Sequence, residues 1–186
     1  MGKLILMMSI SVDGFFEGPN RELDWHMVDE ELHQHFNDEL RAMSTFLGGR
    51  VTYELMVEYW PTADQDPSAP EPVREFAAIW REKPKVVFSR TLARAEWNTA
   101  IEREVVPEAI LALKAQPGGD IALGGANLGR TFARLGLIDE YRLYVHPVVL
   151  GAGHRLFETG DAPVALELTE ARAFTNGVVL LRYEPR

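Results

Sequence analysis

The sequence contains no cysteine. Without thiols the chain forms no disulfide, no thiolate metal site and no cysteine nucleophile, so these three kinds of chemistry are excluded. The absence of cysteine fits a reducing compartment, and we therefore expect a cytoplasmic protein.

Long apolar runs and an excess of positive charge are also missing. No stretch approaches the roughly 20 apolar residues that a membrane-spanning helix needs. The apolar run that starts at Leu4 is too short for a signal peptide and soon reaches Asp13. Lys and Arg number 19 against 28 Asp and Glu, which gives a net charge of −9. Because nucleic acids are bound by basic surfaces, we expect a small-molecule substrate, with neither nucleic acid nor membrane as partner.

Motifs for metal-dependent and serine-dependent hydrolysis are absent as well. His33 and His35 are two residues apart in a predicted helix, which places them on different faces, and no H-E-x-x-H motif occurs. The sequence contains no G-x-S-x-G nucleophile motif either. We therefore expect no metal site.

What the sequence does contain is an alternation of apolar runs and helical stripes. Its 186 residues, 46% of them hydrophobic, suit one domain over residues 1–186. Apolar runs that end in turn residues predict buried strands at 4–12, 45–49, 85–88 and 120–123. Helical spacing predicts helices after the N-cap Asp29, along 51–60 up to Pro61, and at 76–80, 107–114 and 128–136.

The C-terminal part predicts strands at 140–149, 165–174 and 178–183, with a hairpin turn at Asn176-Gly177. Four prolines at positions 61, 67, 70 and 72 predict an exposed loop over residues 61–72. Strands that alternate with helices predict a parallel sheet, and the closing hairpin predicts an antiparallel edge. The predicted fold class is therefore α/β with a mixed, mostly parallel sheet.

Three of the predicted strands end in segments that suit phosphate groups. These segments are Gly48–Thr52, Ser89–Thr91 and Gly124–Leu128. In an open α/β sheet, ligands bind outside the carboxyl ends of the strands, and glycine turns into helices let anions approach unpaired N–H groups. Arg50 and Arg90 add the positive charge that a nucleotide 2′-phosphate requires. Together the segments predict a nucleotide site.

Two further motifs look like nucleotide fingerprints but lack the surrounding structure. Gly151-Ala152-Gly153 follows a late strand and opens no helix, so we expect no Rossmann site there. Residues 124–131 spell G-x-x-x-x-G-R-T, with arginine where a Walker motif has lysine, and Leu128 and Phe132 follow helical spacing. An ATPase is therefore a minor alternative.

Six segments in order make the chain similar to the dihydrofolate-reductase superfamily, and more closely to the reductase domain of the bifunctional riboflavin-biosynthesis deaminase-reductase. They are SISVDGF (9–15), GRVTY (49–53), VFSRTL (87–92), GGA (124–126), LIDE (137–140) and PVVLGAG (147–153). The resemblance covers nearly the whole chain. It implies a dihydrofolate-reductase-like three-layer α/β/α fold with a mixed eight-stranded sheet, NADPH as hydride donor and a homodimer. The zinc deaminase half of that enzyme is absent, because its P-C-x-x-C motif needs cysteine.

The resemblance also assigns roles to individual residues. Cofactor binding is expected from the three phosphate-type segments and from the strand that runs beside the nicotinamide, namely Gly49, Arg50, Thr52, Ser89, Arg90, Gly124, Gly125, Ala126, Asn127, Leu128, Ser9 and Ile10. Asp13 is the expected catalytic acid, and Phe15 and Trp25 are expected to stack on the substrate. His154 and Arg155 follow the 151–153 loop and are candidates for a substrate phosphate.

The implied reaction is most like the reduction of 5-amino-6-(5-phosphoribosylamino)uracil in riboflavin biosynthesis. Dihydrofolate reduction is the alternative substrate reading, and it requires a carboxylate on the first helix, where Asp29, Glu30 and Glu31 are available. Asp29 also suits the helix cap. A nucleotide-binding module without catalysis is the alternative of a different class.

Overall fold

The computed structural model describes residues 1–158 and 162–186. Its strands are β1 (Leu4–Ser11), β2 (Phe15–Glu17), β3 (Thr45–Gly49), β4 (Lys85–Phe88), β5 (Thr99–Glu102), β6 (Ile121–Leu123), β7 (Glu140–His146), β8 (His154–Arg155), β9 (Leu166–Ala173) and β10 (Val179–Pro185). Its helices are α1 (Glu30–Ala42), α2 (Arg50–Tyr59), α3 (Glu71–Glu82), α4 (Pro107–Lys114) and α5 (Ala126–Arg134), with a 3-10 helix at Trp60–Gln65.

Eight of these strands form one sheet in the order β5–β4–β3–β6–β1–β7–β10–β9. The neighbours from β5 to β7 pair in parallel. Strand β10 runs antiparallel to both β7 and β9. The predicted fold class, with a mixed and mostly parallel sheet and a C-terminal antiparallel hairpin, is confirmed.

Helices cover both faces of the sheet, which makes three layers. Phe132 of α5 and Ile110 of α4 pack into the cluster on one face. Trp80 of α3 belongs to a cluster on the opposite face, which α1 and α2 also cover. Strand β1 lies in the middle and is buried on both faces, so Leu4, Ile5 and Leu6 are only 0%, 0% and 1% exposed.

The start of helix α1 and the C-terminal hairpin turn lie where the sequence predicts them. Asp29 is the N-cap of α1, and its Oδ1 accepts a hydrogen bond from Leu32 N–H at 2.9 Å. Leu32 is fully buried in a cluster with Tyr144. The turn between β9 and β10 contains Asn176 and Gly177, and Gly177 has a φ of +87° that favours glycine.

The segment after α2 differs from the prediction. The chain does not leave helical structure at Pro61 but continues as the 3-10 helix, in which Pro61 and Ala63 are buried. Helix α3 then starts at Glu71, with Pro72 buried in its first turn. The exposed loop predicted for 61–72 is therefore wrong at both ends, because proline fits the first turn of a helix, where its missing N–H has no partner anyway.

The apolar stripe predicted along α2 is only partly correct. Val51, Leu55 and Tyr59 are 43%, 54% and 53% exposed. Their spacing of four residues defines a face that turns away from the sheet, whereas Tyr53 and Met56 belong to the core cluster. The helix exists as predicted. Of the predicted stripe, Met56 and Trp60 pack against the core cluster, whereas Val51, Leu55 and Tyr59 are exposed.

Two parts of the strand pattern were not predicted. Strand β5 is a short edge strand in which every second residue is exposed. Strands β2 and β8 form a separate antiparallel ribbon that joins residues 15–17 to residues 154–155. Both are short, and the partner of β2 is more than 130 residues away in the sequence, so local periodicity gives no indication of the pairing.

Candidate cofactor and substrate site

The carboxyl ends of β4, β3, β6 and β1 lie side by side at one edge of the sheet. Because these strands are parallel, the segments that follow them meet at that edge. The phosphate-type segments around Ser89, Gly49 and Gly124 follow β4, β3 and β6 in that order, and Ser9 lies near the end of β1. The fold therefore brings the predicted cofactor residues to one place.

Two helices begin at this edge without neutralising groups. Helix α2 starts after the N-cap Gly49, and helix α5 starts after the N-cap Gly125. In these two fully described helices, no side chain caps the N-terminus and the first turn contains no acidic residue. The other three α-helices carry acidic residues in their first turns. A helix N-terminus holds unpaired N–H groups and partial positive charge, so α2 and α5 present two adjacent sites for an anion.

The glycines at these helix starts leave room for a ligand. A Cβ atom built on Gly49 or Gly124 meets no atom within 4 Å. Gly125 has a φ of +93°, and a Cβ there would lie 3.0 Å from Thr52 Oγ1. The start of α2 and the β6–α5 turn therefore touch, and the space beside Gly49 and Gly124 is what a bound pyrophosphate needs.

The two predicted arginines are accessible. Arg50 is 48% exposed in its side chain and makes a 3.2 Å ion pair with Glu54 one turn further along α2. An exposed ion pair of this kind contributes little to stability, so the Arg50 guanidinium can leave Glu54 and bind a phosphate. Arg90 follows β4 and is exposed. Both positions suit a 2′-phosphate at this edge.

Other predicted cofactor residues have structural roles as well. Ser89 is buried, and its Oγ accepts hydrogen bonds from Thr91 and Leu92 N–H groups at 3.3 and 2.9 Å. Ala126 is buried and Leu128 half-buried in α5, whereas Asn127 is exposed and accepts a hydrogen bond from Arg130. The side chains of these residues stabilise the local structure, so they would contact a cofactor mainly through their backbone groups.

Ser9 and Ile10 point to opposite faces of β1. Ile10 packs with Leu143 and Leu156 in a core cluster. Ser9 is half-buried and lines a cavity on the α1–α3 face. Because side chains alternate along the strand, Ile10 could offer a ligand on the cavity side only its backbone, whereas Ser9 could offer its backbone and its hydroxyl.

A cavity of about 250 Å³ lies between the sheet and helices α1, α2 and α3. Its walls are mainly apolar, with Phe36 and Leu40 from α1, Met56 from α2, and Phe76 and Trp80 from α3. Its other lining residues include Ser9, Gly48, Thr52 and Gly124, which lie at the edge where the predicted cofactor segments meet, and we call this end of the cavity its opening. A substrate in this cavity would therefore lie next to any cofactor that binds at that edge.

The expected catalytic acid, Asp13, lies in a turn after β1. Partial burial opposes its ionisation, but hydrogen bonds from Ser11 Oγ–H, Gly151 N–H and Leu150 N–H outweigh that effect and lower its pKa to about 2. A general acid works best with a pKa near the working pH. The geometry gives Asp13 a structural role in fixing the 150–151 loop, and a role in proton donation stays a prediction.

The predicted substrate residues lie outside the cavity walls. Phe15 is buried, with the Arg155 guanidinium 4.5 Å from its ring centre. Arg155 also donates to the Asp13 carbonyl at 3.0 Å, and His154 pairs with Glu17 at 3.0 Å. These contacts hold the β2–β8 ribbon together. Stacking of Phe15 and Trp25 on a substrate, and a phosphate contact of His154 and Arg155, stay predictions.

A buried histidine, His146, and its half-buried neighbour His26 were missed by the sequence analysis. His146 at the end of β7 is fully buried, and its ring stacks on His26 with centroids 5.1 Å apart. Nδ1 of His146 accepts a hydrogen bond from Met27 N–H at 3.0 Å, so Nε2 carries the proton. Burial lowers the pKa of His146 to about 4. Trp25 contacts both rings edge-on, which places it in this cluster.

Two of the three carboxylates considered for dihydrofolate reduction have other partners. Asp29 caps α1. Glu31 accepts hydrogen bonds from Thr175 N–H and Oγ–H. Of Asp29, Glu30 and Glu31, none is among the described residues that line the cavity, where α1 contributes Phe36 and Leu40. None of these three carboxylates is therefore placed to bind a pterin in this cavity.

Within residues 1–158 and 162–186, no helix is long and apolar enough to span a bilayer. The same ranges contain no group of three or more His, Asp or Glu side chains placed to hold a metal ion.

Comparison with solved structures identifies the class of fold. A protein from Shewanella sp. PV-4 that is named after riboflavin biosynthesis superposes with a TM-score of 0.75, at 19% identity, over 99% of each chain. Dihydrofolate reductase from Enterococcus faecalis, solved with NADP(H), superposes with a TM-score of 0.67, at 15% identity, over 100% of this chain and 97% of the enzyme. The fold is dihydrofolate-reductase-like.

Comparison of sequences identifies the family. The profile of the RibD C-terminal domain matches residues 2–180, and the chain belongs to that family. The uncharacterized protein YyaP of Bacillus subtilis is 37% identical over 182 residues, which cover 97% of this chain and 94% of YyaP. The resemblance noted in the sequence is thereby confirmed.

Proposed function

We propose that this protein is an NADPH-dependent reductase that transfers a hydride to an unsaturated ring compound bound in the cavity. The observation that carries the proposal is the pair of helix starts at Gly49 and Gly125, adjacent and without a neutralising carboxylate. Two anion sites next to each other match the two phosphates of a dinucleotide. Membership of a reductase-domain family supports the proposal.

Different residues at this edge would bind different parts of the cofactor. Backbone N–H groups at the starts of α2 and α5 would hold the pyrophosphate, and Arg50 and Arg90 would hold the 2′-phosphate. The nicotinamide would then lie beside Ser9, at the opening of the cavity. Bound NADPH supplies the hydride. The protein would hold the acceptor bond of the substrate next to the nicotinamide, and the apolar walls of the cavity would exclude water.

The substrate named by the resemblance, 5-amino-6-(5-phosphoribosylamino)uracil, remains one candidate within the proposal. Dihydrofolate is a weaker candidate, because the acidic residues at the start of α1 do not line the cavity. A nucleotide-binding module without catalysis would bind NADPH at the same edge but leave it unoxidised with every substrate. A cytoplasmic location and a homodimer are further parts of the proposal.

Titration with NADPH and, separately, NADH tests the cofactor site, with quenching of tryptophan fluorescence as readout. The wild-type protein should prefer NADPH. Arg50→Ala should weaken NADPH binding by about 10- to 100-fold, because a charge-assisted hydrogen bond contributes roughly 1.5–3 kcal/mol, and should leave NADH binding unchanged.

Arg186→Ala is the matched control, since Arg186 is exposed and follows β10, whose end lies at the opposite edge of the sheet. This variant should bind NADPH like the wild type. Equal weakening of NADPH and NADH by Arg50→Ala would contradict the 2′-phosphate assignment, and no binding of either cofactor would contradict the proposed function.

A further inference from the structure

We infer that the substrate of this cavity is an uncharged, mainly apolar ring compound that carries no phosphate group. The inference rests on the proposed function in one respect only, namely that the cofactor lies at the cavity opening. The inferred substrate differs from the phosphoribosyl compound that the resemblance implies. The inference follows from the charge and the polarity of the residues that line the cavity.

The lining provides almost no charge. Among the described residues that line the cavity, Lys85 is the one charged side chain. The other wall residues are mostly methionine, leucine, valine and aromatic residues. They include Met7, Leu40, Phe46, Met56, Phe76 and Val87. Burying a phosphate against such a wall is costly, because a charge that leaves water needs a partner of opposite charge.

The ammonium group of Lys85 is committed to the protein. Its Nζ donates hydrogen bonds to the Trp80 and Lys83 carbonyls at 2.5 and 2.7 Å and lies 4.4 Å from the centre of the Trp80 ring. Lys85 is only 5% exposed. The group therefore satisfies the carboxyl end of α3 and does not extend toward a ligand.

The buried arginine Arg142 is also neutralised. Arg142 lies two residues before the lining residue Tyr144 on β7, and the two side chains share a face of the sheet. Its guanidinium pairs with Glu140 at 2.6 Å and with Glu39 of α1. Since both partners are carboxylates, no net positive charge is left there for a substrate phosphate.

Size and polarity narrow the ligand further. An apolar cavity of roughly 150 Å³ accommodates benzene, and this cavity has a volume of about 250 Å³. It therefore suits a ring system of about two rings. Its polar side is the opening, where Ser9 and Thr52 provide hydroxyl groups near the cofactor segments. A carbonyl or imine bond of the substrate would lie there, with the apolar rings inside.

Two probes that differ only by a phosphate test the inference. Binding of 2-naphthol and of 2-naphthyl phosphate to the protein is measured by isothermal titration calorimetry, with and without saturating NADPH. The inference expects 2-naphthol to bind at least about tenfold more tightly than the phosphate ester, a difference of about 1.4 kcal/mol. Equal or tighter binding of the phosphate ester would overturn it.

A pair of variants locates the bound probe. Met56→Glu places a carboxylate in the wall and should weaken 2-naphthol binding at least tenfold. Leu55→Glu is the matched control on the same helix, because Leu55 is 54% exposed and does not line the cavity, and it should bind 2-naphthol normally. If Met56→Glu lowers the stability of the protein, the milder variant Met56→Gln should also weaken 2-naphthol binding. Unchanged binding in both Met56 variants would contradict the assigned cavity.

The same experiments separate this inference from the proposed function. If 2-naphthol binds but NADPH does not, the reductase proposal fails and the chemistry of the cavity stands. If NADPH binds with preference over NADH but the phosphate ester is the better probe, the inference fails and the cofactor site stands.

Discussion

The single buried residue His146 makes the stability of the fold depend on pH. The ring is fully buried, and burial together with the nearby His26 lowers its pKa from 6.5 to about 4. The folded protein therefore holds the neutral ring, while the unfolded chain accepts a proton as the pH falls below about 6.5. The stability that depends on this ring is complete at neutral pH and is lost as the pH falls from about 6.5 to 4.

Urea unfolding at pH 7 and pH 5 measures this effect. The wild-type protein should lose stability between these values, and His146 alone should account for about 2 kcal/mol of the loss. His146→Asn keeps an oxygen near the position of Nδ1, where it can accept from Met27 N–H, but does not titrate, so its loss of stability should be smaller by that amount. The same loss in both proteins would contradict the buried neutral histidine.

At the residue scale, the sequence predicts positions better than roles. Asp13 stands at the expected turn, but its hydrogen bonds to the 150–151 loop come from residues far along the chain. The stacking of His146 on His26 likewise depends on the ends of two distant segments. Local patterns contain no information on such contacts, and these were the parts of the site that the sequence left open.

Helices α2 and α5 are the elements on which cofactor binding depends. A Cβ on Gly124 meets no protein atom, and Gly124 does not need a positive φ. Gly124→Ala should therefore fold as stably as the wild type, while its methyl group occupies the space for the pyrophosphate. We expect NADPH binding to weaken about tenfold and the melting temperature to stay unchanged.

Gly125→Ala provides the contrasting variant. Gly125 has a φ of +93°, and its Cβ would lie 3.0 Å from Thr52 Oγ1. Alanine in this backbone conformation costs roughly 1–2 kcal/mol, so Gly125→Ala should lower the melting temperature as well as NADPH affinity. Normal NADPH binding by a stable Gly124→Ala protein would contradict the pyrophosphate assignment.

At the element scale, strong local signals predicted the helices and the central strands. The cap at Asp29 and the glycine turns after β3 and β6 lie where the sequence indicates. The apolar stripe predicted for α2 was only partly right, because Met56 and Trp60 pack on the core but Val51, Leu55 and Tyr59 are exposed. Apolarity alone does not show which of two apolar faces meets the sheet.

At the scale of the whole molecule, the order of the strands determines the site. The parallel pairs put the ends of β4, β3, β6 and β1 side by side, which joins segments from residues 9, 49, 89 and 124. The class of sheet could be predicted from alternation, and the resemblance gave the number of strands. The cavity could not be predicted, because its walls come from three helices whose packing is set by tertiary contacts.

A crystal structure of the protein with NADPH would show whether the cofactor lies at this edge with its nicotinamide at the cavity opening. We expect the pyrophosphate within hydrogen-bond distance of the first N–H groups of α2 and α5, with the 2′-phosphate at Arg50 or Arg90 and the nicotinamide beside Ser9. NADPH bound at another surface, or with its nicotinamide turned away from the cavity, would show that the proposed cofactor site is wrong.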